Sequence, residues 1–237
     1  MQCVKHVRTG RLRAVLLWVS TSAVLAGCTT SPPAPPDGWQ AVALPGKSET
    51  RYSWTDKAGR RAVRAVAERS ASLWRLKVDV PADRLGEASF SWWVDELIAG
   101  ASVADPERED APARVLFGFA GDVSRLPART RVMFELAQSL SGEPPPYATL
   151  MYVLDGSAPV DSVVINPRFD RVRKIVLDSG PSSLGRWRDH RRDLAADYRR
   201  AFGEEPGALV SIAVMTDADN TRSRAAAWYG PVQLHGR

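Results

Sequence analysis

From residue 39 onward the chain keeps returning to one pattern: short runs in which apolar and polar residues alternate, cut apart by Gly, Pro, Asp and Asn. In "RLKVDV", Leu76, Val78 and Val80 face one way while Lys77 and Asp79 face the other, the two-residue period of a half-buried strand. "WQAVAL", "TRYSWT", "RRAVRAVAE", "SLWRLKVDV" and "ASFSWWVDE" are followed by "ARVLFGFAG", "ATLMYVLDG", "DSVVI", "VRKIVLDSG", "ALVSIAVMTD" and "RAAAWYGPVQL". Two stretches change to helical spacing. In "PARTRVMFELAQSLSG", Met133, Leu136, Ala137 and Leu140 share a face and Gly142 stops the run. In "RWRDHRRDLAADYRRAFG", Leu194, Tyr198 and Phe202 follow at four-residue steps and Gly203 supplies the C-cap. Many short strands with two short helices predict an all-β fold, a β-sandwich of jelly-roll type, with a closed barrel as the alternative.

The first residues are of another kind. "MQCVKHVRTGRLR" carries Lys5, Arg8, Arg11 and Arg13 and no acid, and "AVLLWVSTSAVLAGC" follows it. A basic segment, a short apolar segment and small residues describe a signal peptide, too short for a membrane span. Leu25-Ala26-Gly27-Cys28 fits the bacterial lipobox, so residues 1–27 read as a lipoprotein signal peptide and Cys28 as the lipidated residue. Thr29, where an Asp would favour retention in the inner membrane, points to an outer-membrane anchor facing the periplasm. "TTSPPAPPDG" has no apolar pattern and reads as an extended spacer. The expected organisation is therefore signal 1–27, lipidated Cys and Pro-rich linker 28–38, and a single β-sandwich domain over 39–237.

Processing changes the composition. Loss of four basic side chains lowers the formal net charge of +5 by four, so the basic pI is no sign of nucleic-acid binding. Cys3 leaves and Cys28 is acylated, so no thiol remains for a disulfide, a Cys metal site or thiol catalysis. Only His190 and His235 remain as imidazoles, far apart in sequence. There is no HExxH, no Gly-x-Ser-x-Gly and no phosphate-cradling Gly-rich loop, which disfavours zinc hydrolase, serine hydrolase and nucleotide-dependent chemistry. In "RWRDHRRDLAADYRR", Asp189, Asp193 and Asp197 fall among the arginines at four-residue steps, reading as a salt-bridged, solvated helical face.

The polar cluster "TDADNT" near the C-terminus offers three readings. Asp217, Asp219 and Asn220 present hard oxygen ligands of the kind calcium takes. They do not make an EF-hand loop, because Arg222 stands where Gly is needed and Trp228 where Glu is needed. Asp and Asn are also the residues of a hairpin corner, where they tolerate left-handed backbone and bond nearby amides. The third reading is catalytic: Glu109 or Asp110 of "ERED" could pair with Asp217 or Asp219 across a cleft as general acid and base. Seven tryptophans lie in 39–237, and stacked indoles serve both sugar binding and core packing. In "SFSWWVDE" only one of Trp92 and Trp93 can enter the core, and the other needs a covering segment or a ligand.

The blocks "EREDAPARVLFGFAGD", "PYATLMYVLDG", "LAADYRRAFGEEPGALVSIAVMTDADNT" and "AAAWYGPVQL" occur in that order. Together they resemble the uncharacterised bacterial envelope family called domain of unknown function 3047. The resemblance implies a galactose-binding-like jelly roll, an architecture common in carbohydrate-binding modules, where calcium often sits at a strand corner. It implies no catalytic residues. The expected function is a non-catalytic envelope domain binding a glycan. Trp92 or Trp93 would stack on sugar rings, and Asp110, Arg114, Asp217 and Asn220 would bond hydroxyls. A polysaccharide-active enzyme using a carboxylate pair and a protein-binding envelope assembly factor are the alternatives.

Overall fold

The computed structural model describes residues 38–166 and 168–236. The lipobox, Cys28 and all of the Pro-rich linker but Gly38 lie outside the described residues. Every alternating run forms a strand: β1 (Trp39–Ala43), β2 (Arg51–Lys57), β3 (Arg60–Glu68), β4 (Ser72–Val80), β5 (Glu87–Val94) and β6 (Ala111–Phe119) come first. After α1 (Ala128–Ser141) come β7 (Ala148–Asp155), β8 (Val163–Ile165), β9 (Val172–Ser179) and β10 (Trp187–Asp193). Helix α2 (Leu194–Phe202) leads into β11 (Leu209–Asp217), β12 (Arg224–Tyr229) and β13 (Gln233–His235).

The strands form two sheets. One is ordered β1-β4-β11-β6-β7-β9-β8; the other is β10-β5-β12-β3-β2, with β13 also pairing β5. All pairings are antiparallel except β7 with β9. The inner faces meet in a core where Phe90, Trp92, Phe117, Phe119, Leu150 and Tyr152 are enclosed. This is the sandwich expected from the sequence, not a closed barrel.

Strand β6 shows what positions the site. All nine of its residues are buried. Ala113, Val115 and Phe117 face the core, while Leu116 on the opposite face joins Met151, Val153, Val176 and Met215 in a second apolar cluster. Val103, from the loop between β5 and β6, belongs to that cluster, so part of the sheet's outer face is roofed.

Three local expectations change. The final run is two strands, because Gly230-Pro231 interrupts it: Gly230 lies so close to β5 that a Cβ would come within 2.3 Å of Ser91 Oγ. The arginine-rich stretch 187–193 is the edge strand β10, not the first turns of a helix. Its acids therefore have separate tasks. Asp189 pairs with Arg60 at 2.6 Å, Asp193 caps α2 through the Ala196 amide, and Asp197 is buried against Arg192 and Tyr152. Helix α1 packs through Phe134 against Phe169, leaving Met133, Leu136 and Leu140 exposed. Both helices end as expected, at Gly142 and Gly203 in the left-handed conformation glycine permits.

Candidate functional site: a groove on the outer face of the seven-stranded sheet

The register of β11 against β6 pairs Asp217 with Ala111 and Met215 with Arg114. That pairing lays the "TDADNT" corner beside the residues that enter β6. Asp110 is buried there and accepts from the Asn220 amide (3.1 Å), the Thr221 amide (2.7 Å) and Thr221 Oγ1 (2.5 Å). One carboxylate thus organises the whole corner. The side chain of Asn220 donates to Pro106 O at 3.0 Å.

Arg114 lies beneath this corner, 2% exposed. Its Nη2 reaches Asp217 Oδ2 at 3.1 Å and Glu109 O at 2.6 Å, and Glu109 Oε1 is 3.7 Å from Nη1. Lys174, fully buried, donates to Glu109 Oε1 at 2.7 Å and Val103 O at 2.8 Å. Asn166 Nδ2 donates to both oxygens of Glu109, at 3.0 and 3.2 Å. Lys47 pairs with Asp219.

Burial, with support from Asp219 and Asp110, pushes the Asp217 carboxyl up to about 8 against the pull of Arg114. Burial also opposes ionisation of Asp219, but its bonds to Asp217 and Lys47 win and hold it below the usual range. Of the two, Asp217 is therefore the carboxyl that the site disposes to hold a proton. With Asp217 neutral, the charges of Arg114, Lys174 and Lys47 balance those of Glu109, Asp110 and Asp219. Burial and the neighbouring Arg114 lower Lys174 to about 8, with Glu109 opposing them.

A groove of about 320 Å³ runs over these residues. Leu73, Leu116, Met151 and Met215 form an apolar floor; Lys47, Glu109, Asn166, Arg168, Asp219 and Asn220 supply polar edges. Of the residues singled out from sequence, Asp110, Arg114, Asp217, Asp219 and Asn220 meet here, although 110 positions separate Asp110 from Asn220. Oxygens of Asp110, Asp217 and Asp219 lie within 4.8 Å of one another. Calcium takes six to eight oxygens. These three carboxylates instead face Arg114, Lys47 and two backbone amides, and Asn220 spends its amide on Pro106. The arrangement is that of a strand corner neutralised by protein cations.

The two tryptophans part company. Trp92 is fully enclosed, packs on Phe90 and His190, and donates to Asp178 at 2.8 Å, so it is withdrawn as a sugar-stacking residue. Trp93 faces outward from the other sheet, in a cross-strand row with Trp187 and Trp228. The tip of the β2–β3 hairpin covers it, with Lys57 Nζ 4.8 Å from the Trp93 ring centroid and 3.8 Å from that of Trp228. Neither lines the groove. Lys47, Asn166 and Lys174 were not picked out from the sequence. Only Lys174, which alternation in "VRKIVL" places on the same face as Val172 and Val176, carried a signal.

Two facing sheets with a polar-edged groove on one outer face place the chain in the β-sandwich class. The chain belongs to the family described as protein of unknown function (DUF3047), whose model matches residues 37–233. No curated protein matches it. Among solved structures it is similar to the family 11 carbohydrate-binding module of the cellulosomal cellulase Lic26A-Cel5E of Clostridium thermocellum (10% identity, 86% of this chain and 90% of that one, TM-score 0.41). It is also similar to the xyloglucanase domain of NopAA, a type three effector from Sinorhizobium fredii (11%, 86% and 96%, 0.44). A third is a cellulase derived from Cel12A of Rhodothermus marinus (12%, 84% and 96%, 0.44).

Proposed function

We propose that this chain is a lipid-anchored envelope domain that holds a glycan in the groove over β4, β11, β6 and β7. The observation that carries the reading is the pairing of an apolar floor with edges offering both acceptors and donors. Leu73, Leu116 and Met215 suit the C–H faces of a sugar, while Glu109, Asp219, Asn166, Asn220 and Arg168 suit hydroxyls. Because no aromatic side chain among the described residues lines it, recognition would rest on hydrogen bonds rather than ring stacking. The anchor is Cys28, processed at the lipobox, in the outer membrane facing the periplasm.

The test is calorimetric titration of the full chain with soluble envelope and plant oligosaccharides. Saturable binding weakened at least tenfold by Asn166→Ala supports the reading; no binding across the panel overturns it. Radiolabelled palmitate incorporated by the wild type and lost in Cys28→Ala tests the anchor.

A second reading has its own observation. An Asp217 carboxyl pushed up beside an Asp219 carboxyl held down is the division of labour an acid–base pair needs. Reducing-sugar release from a bound polysaccharide, abolished by Asp217→Asn with binding retained, would establish an enzyme in place of a binding module.

A further inference from the structure

A second cavity, of about 320 Å³, lies between the sheets on the side where β1 and β4 face β2 and β3. Trp39, Trp54 and Trp74 line it together with Val63, Val214 and Tyr229. The three indoles are only partly buried and Arg61 is exposed, so the cavity opens to solvent at that rim. It falls at the small end of the range for small-molecule sites, about 300–1,000 Å³.

The indole N–H groups of Trp54 and Trp74 are buried behind the cavity surface, without a hydrogen-bond partner among the described residues, so what these side chains offer a ligand is carbon surface. Trp74 is held in place by Tyr52, stacked on it at 5.7 Å, and the Tyr52 hydroxyl is committed to Ser72 O. At the exposed rim Arg61 lies 5.6 Å over the Trp54 ring. It faces Asp56 across the hairpin but makes no ion pair among the described residues.

The wall also limits the ligand. Among the described residues, Tyr229 is the one lining side chain with an acceptor oxygen, and it is engaged with Met215 O, Thr216 and the Arg114 amide. A sugar ring would bring several hydroxyl donors into a wall with no free side-chain acceptor, each losing its water without replacement. A hydrocarbon body loses nothing there, and a terminal oxyanion would meet the Arg61 guanidinium at the rim. We infer that the cavity lined by Trp39, Trp54 and Trp74 binds a monocarboxylate amphiphile, a medium-chain fatty acid in chemical class, with its tail between the sheets and its head toward Arg61. The site is separate from the groove on the outer face.

Calorimetric titration of the full chain with decanoate and with decanol, which shares the tail but lacks the charge, tests this. The expected result is saturable decanoate binding, at least tenfold tighter than decanol. Arg61→Gln, an exposed change that leaves the core untouched, should remove most of that preference. Trp74→Phe, which replaces the bicyclic indole by a single ring and so removes wall from the cavity, should weaken decanoate and decanol alike. Three results would overturn the inference: no saturable heat, equal affinity for acid and alcohol, or decanoate binding indifferent to Arg61→Gln. Binding of a neutral disaccharide lost in Trp74→Phe would assign the cavity to sugar instead and refute the amphiphile.

Discussion

Asp110 and Thr221, 111 residues apart, are joined twice: the Thr221 amide and its hydroxyl both donate to Asp110 Oδ2, at 2.7 and 2.5 Å. The Asn220 amide completes the set on the other oxygen. A buried carboxylate that answers backbone donors is costly to remove, because each donor is left without water or partner. Asp110→Ala should destabilise the fold by about 3 kcal/mol in urea unfolding. It should also speed amide exchange at residues 219–223 before it affects β6.

The raised Asp217 carboxyl gives the groove a pH dependence of definite sign. Its folded value, about 8, lies above that of an unfolded Asp, about 3.9. Between those limits the folded state binds more protons than the unfolded one, so this contribution falls as pH rises and is fully lost above about 8. Asp217→Asn mimics the protonated form. Relative to wild type, the variant should gain stability between pH 5 and pH 9, at about 2–4 °C in Tm per kcal/mol. A constant difference across that range would contradict the assignment.

Asp178 behaves oppositely. Burial disfavours its charge, yet bonds from His190, Arg188 and Trp92 hold it down at about 2. Its stabilisation is present above the unfolded value and disappears as pH falls from about 4 to about 2. Asp178→Asn should cost about 2 kcal/mol at pH 7 and far less at pH 2, read from parallel denaturant titrations.

The tryptophan pair should separate in a stability assay. Trp92→Ala empties a fully enclosed core position and should cost about 3–5 kcal/mol. Trp93→Ala removes an outward ring held by Lys57 and Trp187 and should cost about 1 kcal/mol. Neither variant should alter saccharide binding in the groove once its fold is verified.

Calcium should leave Tm unchanged against chelator, because Lys47 and Arg114 already meet the carboxylates of the corner. A shift of several degrees, abolished by Asp217→Ala, would make the corner a metal site.

Much of the fold was legible because a strand writes its two faces directly into alternate residues. The run "RLKVDV" places Leu76 and Val78 by period alone. The failures have physical causes. Edge strand β10 buries little, so "WRDHRRD" has no apolar alternation to show and its charges mimicked a helix face. Helix α1 carries an apolar stripe that tertiary packing did not use; Phe134, off that stripe, makes the contact.

Local sequence determined the alternating strands, the two helix ends and the rule that Trp92 and Trp93 must part, since each depends on residues a few positions away. Which tryptophan went inside, and what covered the other, depended on Asp178 and Lys57, supplied by other strands. The groove was decided in the same way: the β11–β6 register carries Asp217 to Ala111, and a shift of one residue would turn its side chain to the other face. Pairing between distant segments is a property of the packed sheets. The upward shift of Asp217 follows from it, because only the folded core both buries that carboxyl and sets Asp219, Asp110 and Arg114 around it.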